Sequence, residues 1–239
     1  IASYPEVSQL GLLKENDKRY YVKSAEGMNL AYLAFNFQNA VIQDEQVRRA
    51  IAQAINRQRI IKTIYHNTAT VANNIIPNIS WASSVNTPDF AYDFNPSEAK
   101  KVLQDKQLHL NMWVLNEEQV YNPAPLKTAE LIKEDLNNVG VNVTIRSVTR
   151  TFLIDQLNKK SENYDMILTG WLAGNLDPDS FMRPILSCNS ASEMTNLSNW
   201  CDEDFDQLMD KALDSPNLWE RAHAYNQAQE LILSKLPIV

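Results

Sequence analysis

The chain has 239 residues, with 22 Lys and Arg against 29 Asp and Glu. The resulting formal net charge of -7 disfavours a phosphate backbone or an anionic lipid surface, so nucleic acid is not expected as a partner. A content of 44% hydrophobic and 21% charged residues is that of a folded globular chain and not a disordered one. No apolar run approaches the roughly 20 residues that span a bilayer, so no membrane insertion is expected, and no signal peptide opens the sequence.

After an irregular start, the alternating and aromatic-rich MNLAYLAFNF (28–37) predicts a strand. Asp44 is placed to cap a helix over EQVRRAIAQAI, whose Val47, Ala50, Ile51, Ala54 and Ile55 share one face. RQRIIKTIYH, after Asn56, predicts a second and shorter helix. Residues 67–96 then lose periodicity and carry Pro77, Pro88 and Pro96, which reads as a long surface connection whose length calls for a task.

From residue 97 helix and strand alternate. Ser97 precedes the short helix EAKKVLQ, LHLNMWVL (108–115) predicts a strand, and APLKTAELIKEDLNNVG predicts a helix with Gly140 at its stop. VNVTIRSV follows as a strand, RTFLIDQL as a helix and YDMILTGW (164–171) as a buried strand. This alternation predicts an α/β fold, a parallel or mixed sheet flanked by helices. Two further helices, opened by Asp202 and Asn217, precede an apolar PIV where another strand begins.

The motifs of nucleotide binding and hydrolysis are missing: no G-x-S-x-G, no P-loop, no G-x-G-x-x-G and no H-E-x-x-H, with only 5 Gly in all. His66, His109 and His223 are scattered, so no metal cluster is predicted. Two carboxylate pairs, Glu117 with Glu118 and Asp177 with Asp179, lie just past the ends of predicted strands, the edge where α/β sheets hold ligands. Capping explains Asp177 and Asp179 equally, since Pro178 suits a first helical position. Trp113, Tyr121 and Trp171 sit near the same strand ends, where an aromatic ring is either core or a stacking platform. Cys188 and Cys201 lack paired C-x-x-C spacing. They read as a disulfide closing a polar loop, or as two free thiols.

LAYLAFNFQNAVIQDEQVRRAIAQAINRQRIIKTIYHNTATVANNIIP resembles a stretch of the dipeptide/oligopeptide-type periplasmic solute-binding proteins: a hinge-region strand, a D-x-x-VR-x-A helix, an A-x-N-x-x-x-I helix pair and a loop ending in Pro. VYNPAPLKTAELIKEDLNNVGVNVTI, YDMILTGWLAGNLDPDSF and SNWCDEDFDQLMDKA are similar to the same family in the same order. The likeness runs over nearly the whole chain and is strongest to the branch of peptide importers associated with antimicrobial peptides.

The resemblance implies that residues 28–239 form the C-terminal ligand-binding lobe of a two-lobed type II, cluster C protein. Residues 1–27 would lead into the hinge, and the N-terminal lobe would lie outside this chain. It implies a periplasmic, secreted, non-enzymatic protein without a resident cofactor, whose partners are a peptide and an inner-membrane ABC permease. Another cargo such as haem or a metal chelate, or a non-transport interaction role, is the alternative. The family's cysteine pair matches Cys188 and Cys201.

The residues implied in ligand binding are Trp171, Leu172, Ala173, Gly174, Asp177, Gln119, Tyr121, Trp113 and Glu117. Two departures stand out. Dipeptide binders carry an Asp three residues after the Trp of their GW motif to hold the peptide's amino terminus, and this chain has Gly174. They carry an Arg two residues before YNP to hold the carboxylate, and this chain has Gln119. With both charges gone and Glu117, Glu118, Asp177 and Asp179 nearby, an acidic site edge and a longer or cationic peptide are expected.

Overall fold

The computed structural model describes residues 9–15, 19–23, 25–83, 92–161 and 163–239. Four strands form one mixed sheet: β1 (Asn29–Phe35), β2 (His109–Leu115), β3 (Asn142–Val148) and β4 (Met166–Leu172), in the order β1-β4-β2-β3. β2 runs parallel to both β3 and β4, whereas β1 is antiparallel to β4. The helices are α1 (Leu10–Glu15), α2 (Ala40–Gln43), α3 (Glu45–Ala54), α4 (Arg57–Ile64), α5 (Pro96–Leu103), α6 (Pro125–Asn138), α7 (Arg150–Asn158), α8 (Asp179–Leu186), α9 (Cys188–Ser192), α10 (Glu203–Asp214) and α11 (Leu218–Lys235).

The period of two along the strands divides the core into two layers. Leu33, Phe35, Met112, Val114, Met166 and Leu168 face one layer, where they meet Ile42 and the apolar stripes of α3, α5 and α6. Leu30, Tyr32, Ala34, Trp113, Leu115 and Ile167 face the other, against α7, α8, α10 and α11. The central strands are buried on both sides, which is why YDMILTGW reads as a near-continuous apolar run.

Local chemistry sets the helix ends. The side chains of Asp44, Asn56, Asp202 and Asn217 each accept a backbone N–H of the first turn they open, as expected from their place in the sequence. α5 begins earlier than predicted: Asn95, and not Ser97, is its cap, and Pro96 takes the first position, where its missing N–H costs nothing. α6 stops at Gly140, whose φ of +91 is open to glycine, and a Cβ there would sit 2.8 Å from the Cα of Gln104.

One expectation changes, and another is borne out. The connection after α4 is not a free surface run over its described part, because Ile75, Ile76, Ser80 and Ala82 are buried. Its apolar residues dock on the sheet layer without helical or strand spacing, so periodicity gave no sign of them. Pro88 lies outside the described residues. The closing PIV does pair as a strand: Ile238 bridges Ala34, and Leu33 and Val239 exchange backbone bonds of 2.8 and 2.9 Å along the outer edge of β1. Cys188, at the start of α9, is bonded to Cys201 just ahead of α10, which makes the implied disulfide. Among the described residues no helix is long and apolar enough to cross a membrane.

Candidate functional site at the carboxyl edge of the sheet

β1 follows β4 over its whole length, from Phe35 opposite Met166 to Asn29 opposite Leu172. β2 pairs with β4 only through Met112–Val114 and Met166–Leu168. On that side Thr169–Leu172 runs on without a strand neighbour, leaving backbone groups open to another extended chain.

Tyr121 flanks this stretch. A Cβ on Gly170 would overlap the Tyr121 ring and come within 2.5 Å of the Leu30 carbonyl, so glycine is what lets the ring and β1 approach so closely. A tight turn holds Tyr121 in place, with Gln119 and Asn122 exchanging two backbone bonds of 2.9 Å. Its carbonyl accepts the Tyr65 hydroxyl at 2.6 Å. Buried Asn122 accepts from the Ala124 N–H at 3.2 Å and the Thr128 hydroxyl at 3.1 Å, tying the turn to the start of α6.

Trp171 is half-buried, and its indole N–H is spent inside the protein on the Ser180 carbonyl at 2.7 Å. Leu172 is 58% exposed, while Ala173 is buried and donates its N–H to Met28 at 3.1 Å. Gly174 is exposed, and a Cβ there would meet nothing within 4 Å. The position where dipeptide binders carry an anchoring Asp is therefore open space.

Asp177 is committed to its own protein. One carboxylate oxygen accepts the Asp179 N–H at 3.1 Å and the Tyr225 hydroxyl at 3.2 Å, and the other pairs with Arg221 at 2.8 Å. Arg221 lies over the rings of Trp81 and Tyr225 at 5.2 and 5.7 Å, so the loop after β4 is pinned to α11. Burial pushes the Tyr225 phenol up to about 12, with Arg221 pulling against the shift and the Asp177 charge adding to it.

The expected acidic edge is largely neutralised. Asp177 has Arg221, Asp179 has Arg183 at 2.9 Å, and Glu117 lies 4.0 Å from Arg150. Trp113 does not reach the edge: it is 1% exposed, packed between Phe152 and Tyr164 at 5.6 and 5.3 Å, with Arg146 over its ring at 5.1 Å. A strand tryptophan on a buried face points to the core, and here the face and not the strand end decides. Among the described residues no group of His, Cys, Asp and Glu could hold a metal ion.

Sequence reasoning missed Trp81, Tyr65 and Arg221, and also a cavity of about 630 Å³. The cavity runs along the outer edge of β1 beneath α4 and residues 68–78, and Tyr121 closes its upper wall. The aromatic residues standing in or beside a non-periodic, Pro-bearing stretch were the signal available for it.

Residues 1–193 match the model of bacterial extracellular solute-binding proteins, family 5 Middle, and the chain belongs to that family. Over all 239 residues it is 66% identical to the peptide transport periplasmic protein SapA of Haemophilus influenzae, of which it covers 42%. A dipeptide binding protein from a Pseudoalteromonas species, solved with Met-Leu, superposes with a TM-score of 0.86 at 33% identity, covering 98% of this chain and 46% of that one. HbpA2 from Haemophilus parasuis superposes with a TM-score of 0.89 at 28% identity, covering 99% and 46%. The chain thus spans less than half the length of these relatives, and its sheet with flanking helices is a lobe of the solute-binding fold, as expected.

Proposed function

We propose that this chain is the C-terminal lobe of a periplasmic binding protein that captures peptides and delivers them to an inner-membrane ABC permease. The observation that carries this reading is that Thr169–Leu172, paired with β1 on one side, has no strand neighbour on the β2 side, where Tyr121 stands at the carboxyl edge of the sheet. An extended peptide adds there as a short strand: main-chain hydrogen bonds supply affinity, and the exposed Leu172 and Val120 side chains receive alternate peptide side chains. The high identity to a peptide transport protein supports the same cargo class.

Neither Gly174 nor Gln119 offers a charge to a peptide terminus, so the peptide is read through its backbone and its ends are left free. Three of the four acids at the edge are matched by arginines, so the site makes no strong demand for a cationic peptide. Closure of the second lobe by a hinge, with residues 1–27 leading into it, would bury the ligand, and no bond in it is made or broken.

Calorimetric titration of the full-length protein with a pentapeptide tests this. Acetylating and amidating its ends should leave the affinity within about threefold, whereas N-methylation of its central amides should weaken binding by about tenfold or more, the scale of one lost hydrogen bond. Abolition of binding by end-blocking alone would overturn the reading.

A further inference from the structure

We infer that Trp81 is a specificity-determining residue: flanked by Ile79 and Leu176, it receives an uncharged aliphatic or aromatic side chain of a peptide that runs on past the end of β4. This rests on the peptide reading above and adds to it the kind of peptide preferred.

Trp81 stands out from the segment that carries it. Ser80 and Ala82 on either side are buried, whereas Trp81 is 40% exposed, and Ile79 and Leu176 are 43% exposed each. The segment is nonetheless held, by a turn in which the Ser80 N–H donates to the Pro77 carbonyl at 2.9 Å and the Ser83 N–H to the Ser80 carbonyl at 3.0 Å. The Ser80 hydroxyl donates to the Leu176 carbonyl at 2.8 Å, which fixes this turn to the loop after β4. Single exposed apolar residues are ordinary, but three grouped about one hydrogen bond make a patch.

The indole is set in place from behind. Arg221 lies 5.2 Å from its centroid, and Tyr225 meets it edge-on at 6.1 Å and 68°. Arg221 is itself fixed, donating to Asp177 at 2.8 Å, to the Ala212 carbonyl at 2.8 Å and to the Tyr225 hydroxyl at 3.0 Å. A side chain docking on such a ring does not have to order it first. The same arrangement decides which side chain fits. One guanidinium already occupies the ring's attraction for cations, so a second cation gains little there and is repelled by Arg221. A neutral apolar side chain gains burial without that penalty.

The way to the patch is open. A peptide laid along Thr169–Leu172 leaves the strand edge where Ala173 turns inward to Met28, and next to it a Cβ on Gly174 would meet nothing within 4 Å. Leu176 is two residues further on, about 7 Å of chain at most. A peptide longer than that edge therefore reaches Leu176 and Trp81.

Calorimetric titration of the full-length protein with an end-blocked alanine pentapeptide, and with the same peptide lengthened at either end by Leu, Phe, Ser or Lys, tests this. At one end Leu and Phe should bind about fivefold or more tighter than Ser, with Lys no better than Ser. Trp81→Ala should bring the ratio of Leu to Ser affinities to about one, and Trp81→Phe, which keeps a ring, should retain most of it. Equal affinities for Leu, Ser and Lys at both ends would overturn the inference on the parent protein alone, as would a ratio that survives Trp81→Ala. Failure of every peptide to bind would overturn the peptide reading and this inference with it, whereas binding without preference overturns this inference only.

Discussion

Gly170 and Gly174 are four residues apart and make opposite demands. At Gly170 a methyl group would strike the Tyr121 ring and the Leu30 carbonyl, and backbone cannot swing aside as a side-chain tip can. Gly170→Ala should therefore cost about 1–3 kcal/mol and displace Tyr121, read as a lower melting temperature together with weaker peptide binding. At Gly174 a side chain enters open space. Gly174→Asp should leave stability within about 0.5 kcal/mol and shift preference toward peptides with a free amino terminus, measured as the affinity ratio of free to acetylated peptide. The sequence placed both glycines at a strand end, but not which was crowded, since the ring that crowds Gly170 comes from a turn far away in the chain. Trp113 teaches the same lesson from the other side. Its type and position suited a ligand platform, and only the face of β2 on which it stands consigns it to the core.

Arg48, in α3, joins elements that the sequence presents as separate. The residue is 3% exposed, and its guanidinium donates to the Ile42 and Gln43 carbonyls at 2.7 and 2.8 Å and twice to the Lys235 carbonyl, at 3.0 and 2.6 Å. It also lies 4.4 Å over the Phe37 ring. The negative ends of two helices, α2 and α11, thus stand in for a carboxylate, which keeps a buried cation tolerable although burial pulls its pKa down. A lysine cannot fork to both helix ends. Arg48→Lys should lower stability by about 2–4 kcal/mol in denaturant titration, against about 0.5 kcal/mol or less for Lys101→Ala, whose pair with Glu98 is exposed. Helices and strands were legible because their apolar spacing is local, and four of the caps were legible because an Asp or Asn announces them. The docking of residues 72–82 and the fork of Arg48 were not, because both depend on partners that adjoin only in the fold.

At the scale of the whole lobe, the Cys188–Cys201 disulfide braces the turn between α8 and α10, a region otherwise held by polar bonds such as those from Asn196 to the Ser187 and Trp200 carbonyls. Cys188→Ser with Cys201→Ser should cost about 3 kcal/mol on the loop-entropy estimate, and reducing agent should lower the melting temperature of the parent but not of the double variant. The fold class and strand order of appearance were readable from the alternation of elements, whereas the spatial order β1-β4-β2-β3 was not, since nothing local records that β1 lies beside β4.

That pairing has a consequence for assembly. Of the four strands described, β1 comes first in the chain, yet its neighbour is the last of them on one side and residues 237–239 on the other. As the chain emerges, β1 must wait with both edges bare while β2 and β3, close in sequence, zip together at once. Long-range closure of this kind is slow and leaves apolar strand exposed meanwhile. Until residues 237–239 have been made, the lobe therefore holds its first strand without a partner on either side, and its sheet closes only as a late, long-range event.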